Sequence, residues 1–186
     1  ILAKFDSKGI VGLSFMENGW RSISANKKIE KPSDLVGMKI RTMENQVHMA
    51  AFRALGASPV PMVWGEVYTS LQQGVIDGQE NPPVILATNA LWEVQKYYAL
   101  TNHFYTPQMF LMSKSTANKL SDEHMAIIHE AAKNATDFQR AKMAELDTQY
   151  IKTLTDNKME VYEVDGSLFQ EATKSVYDQY GSNFGV

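Results

Sequence analysis

Two arginines stand out among the side chains able to do chemistry: Arg21 in Gly19-Trp20-Arg21, and Arg41 in Met38-Lys39-Ile40-Arg41-Thr42. Both lie in alternating apolar and polar stretches of the kind that form strands, beside a strand end. A planar guanidinium presents parallel N–H donors that match a carboxylate, but an arginine on a strand also serves as an ordinary ion-pair residue. On local grounds both readings stay open. Trp64, beside Gly65 and ahead of a helical stretch, is in the same way a flat ligand platform or a core residue.

Other chemistries find less support. His48, His103, His124 and His129 never fall at a metal-ligand spacing. The nearest pair, His124 and His129, points to different faces of a helix, so all four read as surface or capping residues. Asp77-Gly78-Gln79-Glu80-Asn81 has neither the alternating acidic positions nor the closing Glu of a calcium loop, and reads as a turn carrying polar groups. Ser113-Lys114-Ser115 reads as a polar strand-to-loop segment rather than a nucleophile cluster. No GxSxG, HExxH, GxxxxGK[ST] or GxGxxG pattern occurs. Cysteine is absent, which excludes disulfides, thiolate metal sites and thiol nucleophiles.

The elements that must position these groups follow from patterning. The chain has 186 residues, 44% hydrophobic and 21% charged, with a net charge of −3, so a folded globular chain is expected and a phosphate-binding basic surface is not. No apolar stretch approaches the roughly 18 residues needed to span a bilayer. The chain opens at Ile1-Leu2-Ala3, without an initiator Met or a signal-type segment, and reads as a processed or internal start.

Residues 9–15 predict a short buried strand, broken by Met16-Glu17-Asn18-Gly19 and resumed at 20–24. Residues 31–37 carry the punctuation of a single helical turn, and 38–42 alternate as a strand. A helix is expected over 46–55, an extended piece over 59–62, and a helix over 65–73 with Val67 and Leu71 inward. Residues 75–78 predict a strand ending in a turn, 83–92 a helix, and 94–100 and 108–112 two strands. From Ser121 to about Asp156 there is no Gly or Pro, and Met125, Ile128, Ala132, Ala135, Phe138, Leu146 and Tyr150 recur at helical spacing. One long helix follows, then a strand over 159–164 and a helix over 167–180. Strands alternating with helices predict α/β architecture with a largely parallel sheet.

Four segments in order carry a resemblance: KPSDLVGMKIR at 31–41, ALGASPVPM at 54–62, PVPMVWGEVYTSLQQGVIDGQENP at 59–82 and WEVQKYYALTNH at 92–103. Together with the long and closing helices they resemble the extracytoplasmic solute receptors of tripartite ATP-independent periplasmic (TRAP) transporters, the DctP-like family, over nearly the whole chain. The resemblance implies a two-lobe, periplasmic-binding-protein-like α/β fold with mixed, mostly parallel sheets and a long bracing helix. It implies a lobe I and hinge strand at 1–20, a ligand-binding lobe II at 21–105, a return to lobe I at 106–140, and bracing helices at 141–186. It also implies that the chain is the C-terminal portion of a receptor, with apolar faces of the first lobe left open.

By motif position the resemblance assigns carboxylate binding to Arg41 and a second ligand contact to Arg21. Asn81 of Gln-Glu-Asn-Pro, Trp64 and Gln108 are further implied contacts. Glu44 stands where some relatives carry Asn, so it either accepts from a ligand hydroxyl or pairs with Arg41. The implied function is non-catalytic: a bacterial extracytoplasmic receptor that needs no cofactor and no metal, and passes a small organic acid (a sugar acid, a dicarboxylate or a related carboxylate) to TRAP membrane permease subunits. An enzyme such as a lyase or isomerase on a similar scaffold, and a ligand-sensing module of a signalling protein, are the alternatives.

Overall fold

The computed structural model describes residues 1–184. In chain order the elements are β1 (Ile10–Ala25), β2 (Lys39–Thr42), α1 (Gln46–Ala54), β3 (Ser58–Pro61), α2 (Val67–Gln72), β4 (Gly78–Asn81) and α3 (Pro83–Thr88). They continue with β5 (Tyr97–Ser113), α4 (Lys114–Ala117), α5 (Asp122–Asp156), β6 (Glu160–Glu163), α6 (Gly166–Ala172) and α7 (Lys174–Phe184). Short 3-10 turns lie at Pro32–Leu35, Trp64–Glu66 and Leu91–Glu93, with a longer one at Leu2–Lys8. Two compact units result. One comprises Ile1–Gly19 and Tyr105–Thr148, the other Trp20–Phe104 and Gln149–Val186.

The second unit is built on a mixed sheet of order β3-β2-β4-β1-β5-β6. The β2–β3, β2–β4 and β5–β6 pairs are parallel, while β1 runs antiparallel to β4. Side-chain alternation sends neighbours to opposite faces, and both faces are covered. Ile23, Ala25, Ile40 and Ala99 join Phe52, Leu55 and Phe169 in one core, while Tyr98 joins Val67, Leu71, Ile76, Leu86, Leu154 and Met159 in the other. Fully burying side chains of this size contributes about 1.5–3 kcal/mol each. The helix and strand boundaries of β2, α1, α2 and α5 fall close to those expected from periodicity.

Four expectations are corrected. The break at Met16-Glu17-Asn18-Gly19 does not end a strand, since β1 runs through it with Gly19 at φ 100°, a value an L side chain would resist. Its leading residues are only half-buried. The strand expected at 75–78 begins instead at Gly78 and takes in the polar residues that read as a turn. The two strands expected at 94–100 and 108–112 are one, β5, and the single closing helix is two, α6 and α7.

In the first unit the strand segments belong to β1 and β5, and the helices are α4 and the part of α5 up to Thr148. Ala117, Ala132 and Thr136 are buried there. Ser14 and Thr136 share a 2.6 Å hydrogen bond, and Gln139 binds the backbone of Glu17 through both ends of its amide. Met109, Phe110, Leu111 and Ile127 are exposed, and Phe138 is 72% exposed although it keeps the helical spacing of a core residue.

Candidate functional site

The parallel strands β2, β3 and β4 end together, so the residues at their carboxyl ends gather at one edge of the sheet. Arg41 pairs in register with Val60 of β3 and Gln79 of β4. Alternation with Ile40, which enters the core, sends Arg41 to the other face. The chain then leaves β2, and Asn45 caps α1 by accepting from the backbone N–H groups of Val47 (2.9 Å) and His48 (3.1 Å).

Arg41 is 4% exposed, and among the described residues no carboxylate lies within ion-pair distance of it. Its Nε and Nη2 both donate to the backbone oxygen of Met62, at 3.0 and 2.7 Å. That fixes one edge of the guanidinium and leaves its end, Nη1 and the second N–H of Nη2, unengaged by any described residue. Burial pushes the Arg41 pKa down, with the Glu80 charge opposing the effect and Arg21 adding to it. Trp64 holds the guanidinium from the side, with the Arg41 carbon 5.4 Å from the ring centre. Arg41 lines a cavity of about 470 Å³ together with Met43, Glu44, Pro61, Met62, Val63 and Glu66. Pockets for small organic ligands fall in this range of volume.

Arg21 is placed differently. It is 3% exposed, and its Nε donates to Glu80 Oε2 at 2.5 Å while Nη2 donates to Oε1 at 2.8 Å. Nη2 also donates to the backbone oxygen of Glu80 at 2.6 Å. The pairing is bidentate and sealed in the interior. Asn81 donates from Nδ2 to Gln79 Oε1 (2.7 Å), Gln79 to Ser24 Oγ (2.8 Å), and Ser24 to Gln95 Oε1 (3.1 Å). Tyr98 Oη donates to the Asn81 backbone oxygen at 2.8 Å. This chain of buried partners immobilises the end of β4.

Two histidines depart from the surface or capping role expected of them. His103 Nε2 lies 3.4 Å from Glu80 Oε2 and its Nδ1 is 2.7 Å from Thr101 Oγ1. His48 is buried, stacked on Phe104 at 4.1 Å, with Nδ1 3.8 Å from Glu80 Oε1, beyond hydrogen-bond reach. Burial alone would raise the Glu80 pKa, but His103, His48 and Arg21 outweigh it and hold the carboxyl well below the usual carboxylate range. Burial lowers His103, with the contact to Glu80 opposing. His124 and His129 are exposed, as expected.

Of the residues singled out from sequence, the structure brings Arg41, Glu44 and Trp64 together. Arg21 and Asn81 belong to the buried polar network, and Gln108 lies exposed on the part of β5 that belongs to the first unit. The Glu80 cluster was missed because its members are distant in sequence and show no local spacing.

Residues 1–183 match the bacterial extracellular solute-binding protein, family 7 (DctP). A solute-binding protein of Verminephrobacter eiseniae is 38% identical over 187 residues, covering 100% of this chain. The chain spans 56% of that relative's length. Among solved structures, a TRAP periplasmic solute-binding protein from a Sulfitobacter species with bound β-D-galacturonate matches at TM-score 0.94 and 38% identity, over 98% of this chain and 61% of its own. One from a Polaromonas species bound to D-erythronate matches at TM-score 0.94 and 38% identity, over 99% and 61%. Each of these three is a solute-binding protein. The chain belongs to family 7 of the bacterial extracellular solute-binding proteins, the DctP family.

Proposed function

We propose that this chain supplies the carboxylate grip of an extracytoplasmic receptor that binds a small organic acid and delivers it to a TRAP membrane permease. The observation that carries this reading is the state of Arg41: a buried guanidinium without a carboxylate partner among the described residues, held on one edge by Met62 and lining a ligand-sized cavity. A buried charge is costly unless paired. An anionic ligand at the free end of the guanidinium completes the pairing, with two parallel N–H donors to one carboxylate. The bound acids of the two solved relatives, a uronate and an aldonate, each carry such a group.

The binding reading is supported further by Glu80, which lies sealed in the interior, tied to Arg21 and kept ionised by it and the histidines, so it is not available as a base to a ligand in the cavity. The test is a thermal-shift screen of the natural full-length protein with D-galacturonate, D-glucuronate and D-erythronate, against the matched neutral sugars. A ligand that binds only the folded state stabilises it by RT ln(1 + [L]/Kd), about 2.7 kcal/mol at 100 times Kd. An acid that raises Tm where its neutral counterpart does not supports the reading; equal shifts from acid and neutral sugar contradict it.

A further inference from the structure

We propose that this cavity selects acids with one carboxylate and a hydroxylated remainder, and that Glu44 and Glu66 turn away acids bearing a second carboxylate. The proposal rests on Arg41 as the carboxylate grip. The charged lining of the cavity is one guanidinium and two carboxylates, Glu44 and Glu66, and its other side chains are Met43, Pro61, Met62 and Val63. Neither Glu44 nor Glu66 forms an ion pair with Arg41 among the described residues, so neither occupies the place of the ligand carboxylate. Arg21 is a further cation whose charge acts on Arg41, and Glu80 already matches that charge through a bidentate pair.

A ligand held by Arg41 therefore meets acceptors over the rest of the cavity. Each Glu accepts only, with two oxygens open to O–H donors. A hydroxylated chain supplies those donors. A second ligand carboxylate supplies none, finds no unmatched cation among the described lining residues and faces like charge, which is a common way of rejecting the wrong partner. The volume of about 470 Å³ exceeds what one carboxylate fills and leaves room for the hydroxylated part.

The experiment uses calorimetry on the natural full-length protein with two matched pairs: D-galacturonate against galactarate, and D-erythronate against meso-tartrate. Wild type is expected to favour the monocarboxylate of a pair by at least about tenfold. E44Q/E66Q is expected to narrow that ratio by about tenfold, and 0.5 M salt to narrow it in wild type by screening. Dicarboxylates that bind wild type as tightly, or a ratio unchanged in E44Q/E66Q, overturn the selectivity while leaving the grip standing. R41A separates the two claims, because unchanged binding in R41A overturns the grip itself. Binding of none of the four acids overturns both.

Discussion

Arg21 and Glu80 form a bidentate ion pair with both partners sealed from solvent, and a third bond ties Arg21 to the Glu80 backbone. The pair joins β1 to β4, whose antiparallel register sets Ser22 opposite Asn81 and Ile23 opposite Glu80. It also divides the labour between the two arginines. Arg21 is matched inside the protein, and Arg41 is left with a free end.

Removing one member should therefore be severe. Glu80→Gln leaves the Arg21 charge buried without a counter-charge, at a cost of about 3–5 kcal/mol in folding. Urea denaturation measures it. A loss below about 1 kcal/mol would show that the pair is solvated and not structural.

Acid should weaken the fold in two windows. His103 has a folded pKa below its ordinary 6.5, so below that value the unfolded chain binds the extra proton and stability falls with falling pH. The slope there reaches at most about 1.4 kcal/mol per pH unit for one proton. Glu80, depressed from its ordinary 4.5, contributes stability that is full above that value and is lost as pH drops toward its lowered folded value. Stability curves from pH 7 to 3 should show both segments. In His103→Gln the upper segment should flatten and the lower remain; a slope between pH 6.5 and 5 that persists in this variant contradicts the assignment.

Gly78 of β4 lies between two strands, paired with Ala25 of β1 on one side and Ile40 of β2 on the other. A Cβ there would collide with the Ser24 backbone oxygen and press on Ile40 Cδ1 at 3.1 Å and Ala25 Cβ at 3.2 Å. Because one of these atoms is backbone, the strain cannot be relieved by a rotamer change. Gly78→Ala is expected to cost about 1–3 kcal/mol, read from the denaturation midpoint. A neutral result would mean that the β1–β4 spacing adjusts freely.

Trp64 is expected to act through Arg41. Trp64→Ala removes the ring beside the guanidinium and should weaken acid binding by about 0.5–2 kcal/mol, while Trp64→Phe should recover part of it. Titration calorimetry separates this from a core defect, because a stability loss with unchanged affinity would assign Trp64 to packing alone.

How much of this could be read in the residues differs by element. The strand position of Arg41 was legible because Met38-Lys39-Ile40-Arg41-Thr42 alternates and the alternation sets its face, whereas its assignment to a ligand carboxylate came from the resemblance and not from local pattern. The 35-residue α5 was legible because no Gly or Pro interrupts its spacing. β4 was not, since Gln79, Glu80 and Asn81 are all buried and polar, and a strand that buries polar groups on both faces carries no hydrophobic period. His48 and His103 meet at Glu80 only through the sheet, so no local spacing announces them. The engagement of Arg21 is likewise a tertiary fact, hidden in a strand that looks like that of Arg41.

The most direct measurement is the affinity of the natural full-length protein and its Arg41→Lys variant for the acid found in the thermal-shift screen. Lysine keeps the charge, but its single ammonium cannot hold Met62 through one edge and a carboxylate through another. The account predicts at least a tenfold loss, about 1.4 kcal/mol, in Arg41→Lys and about 2–5 kcal/mol in Arg41→Ala, with circular dichroism unchanged. An Arg41→Lys variant that binds as tightly as wild type would contradict it.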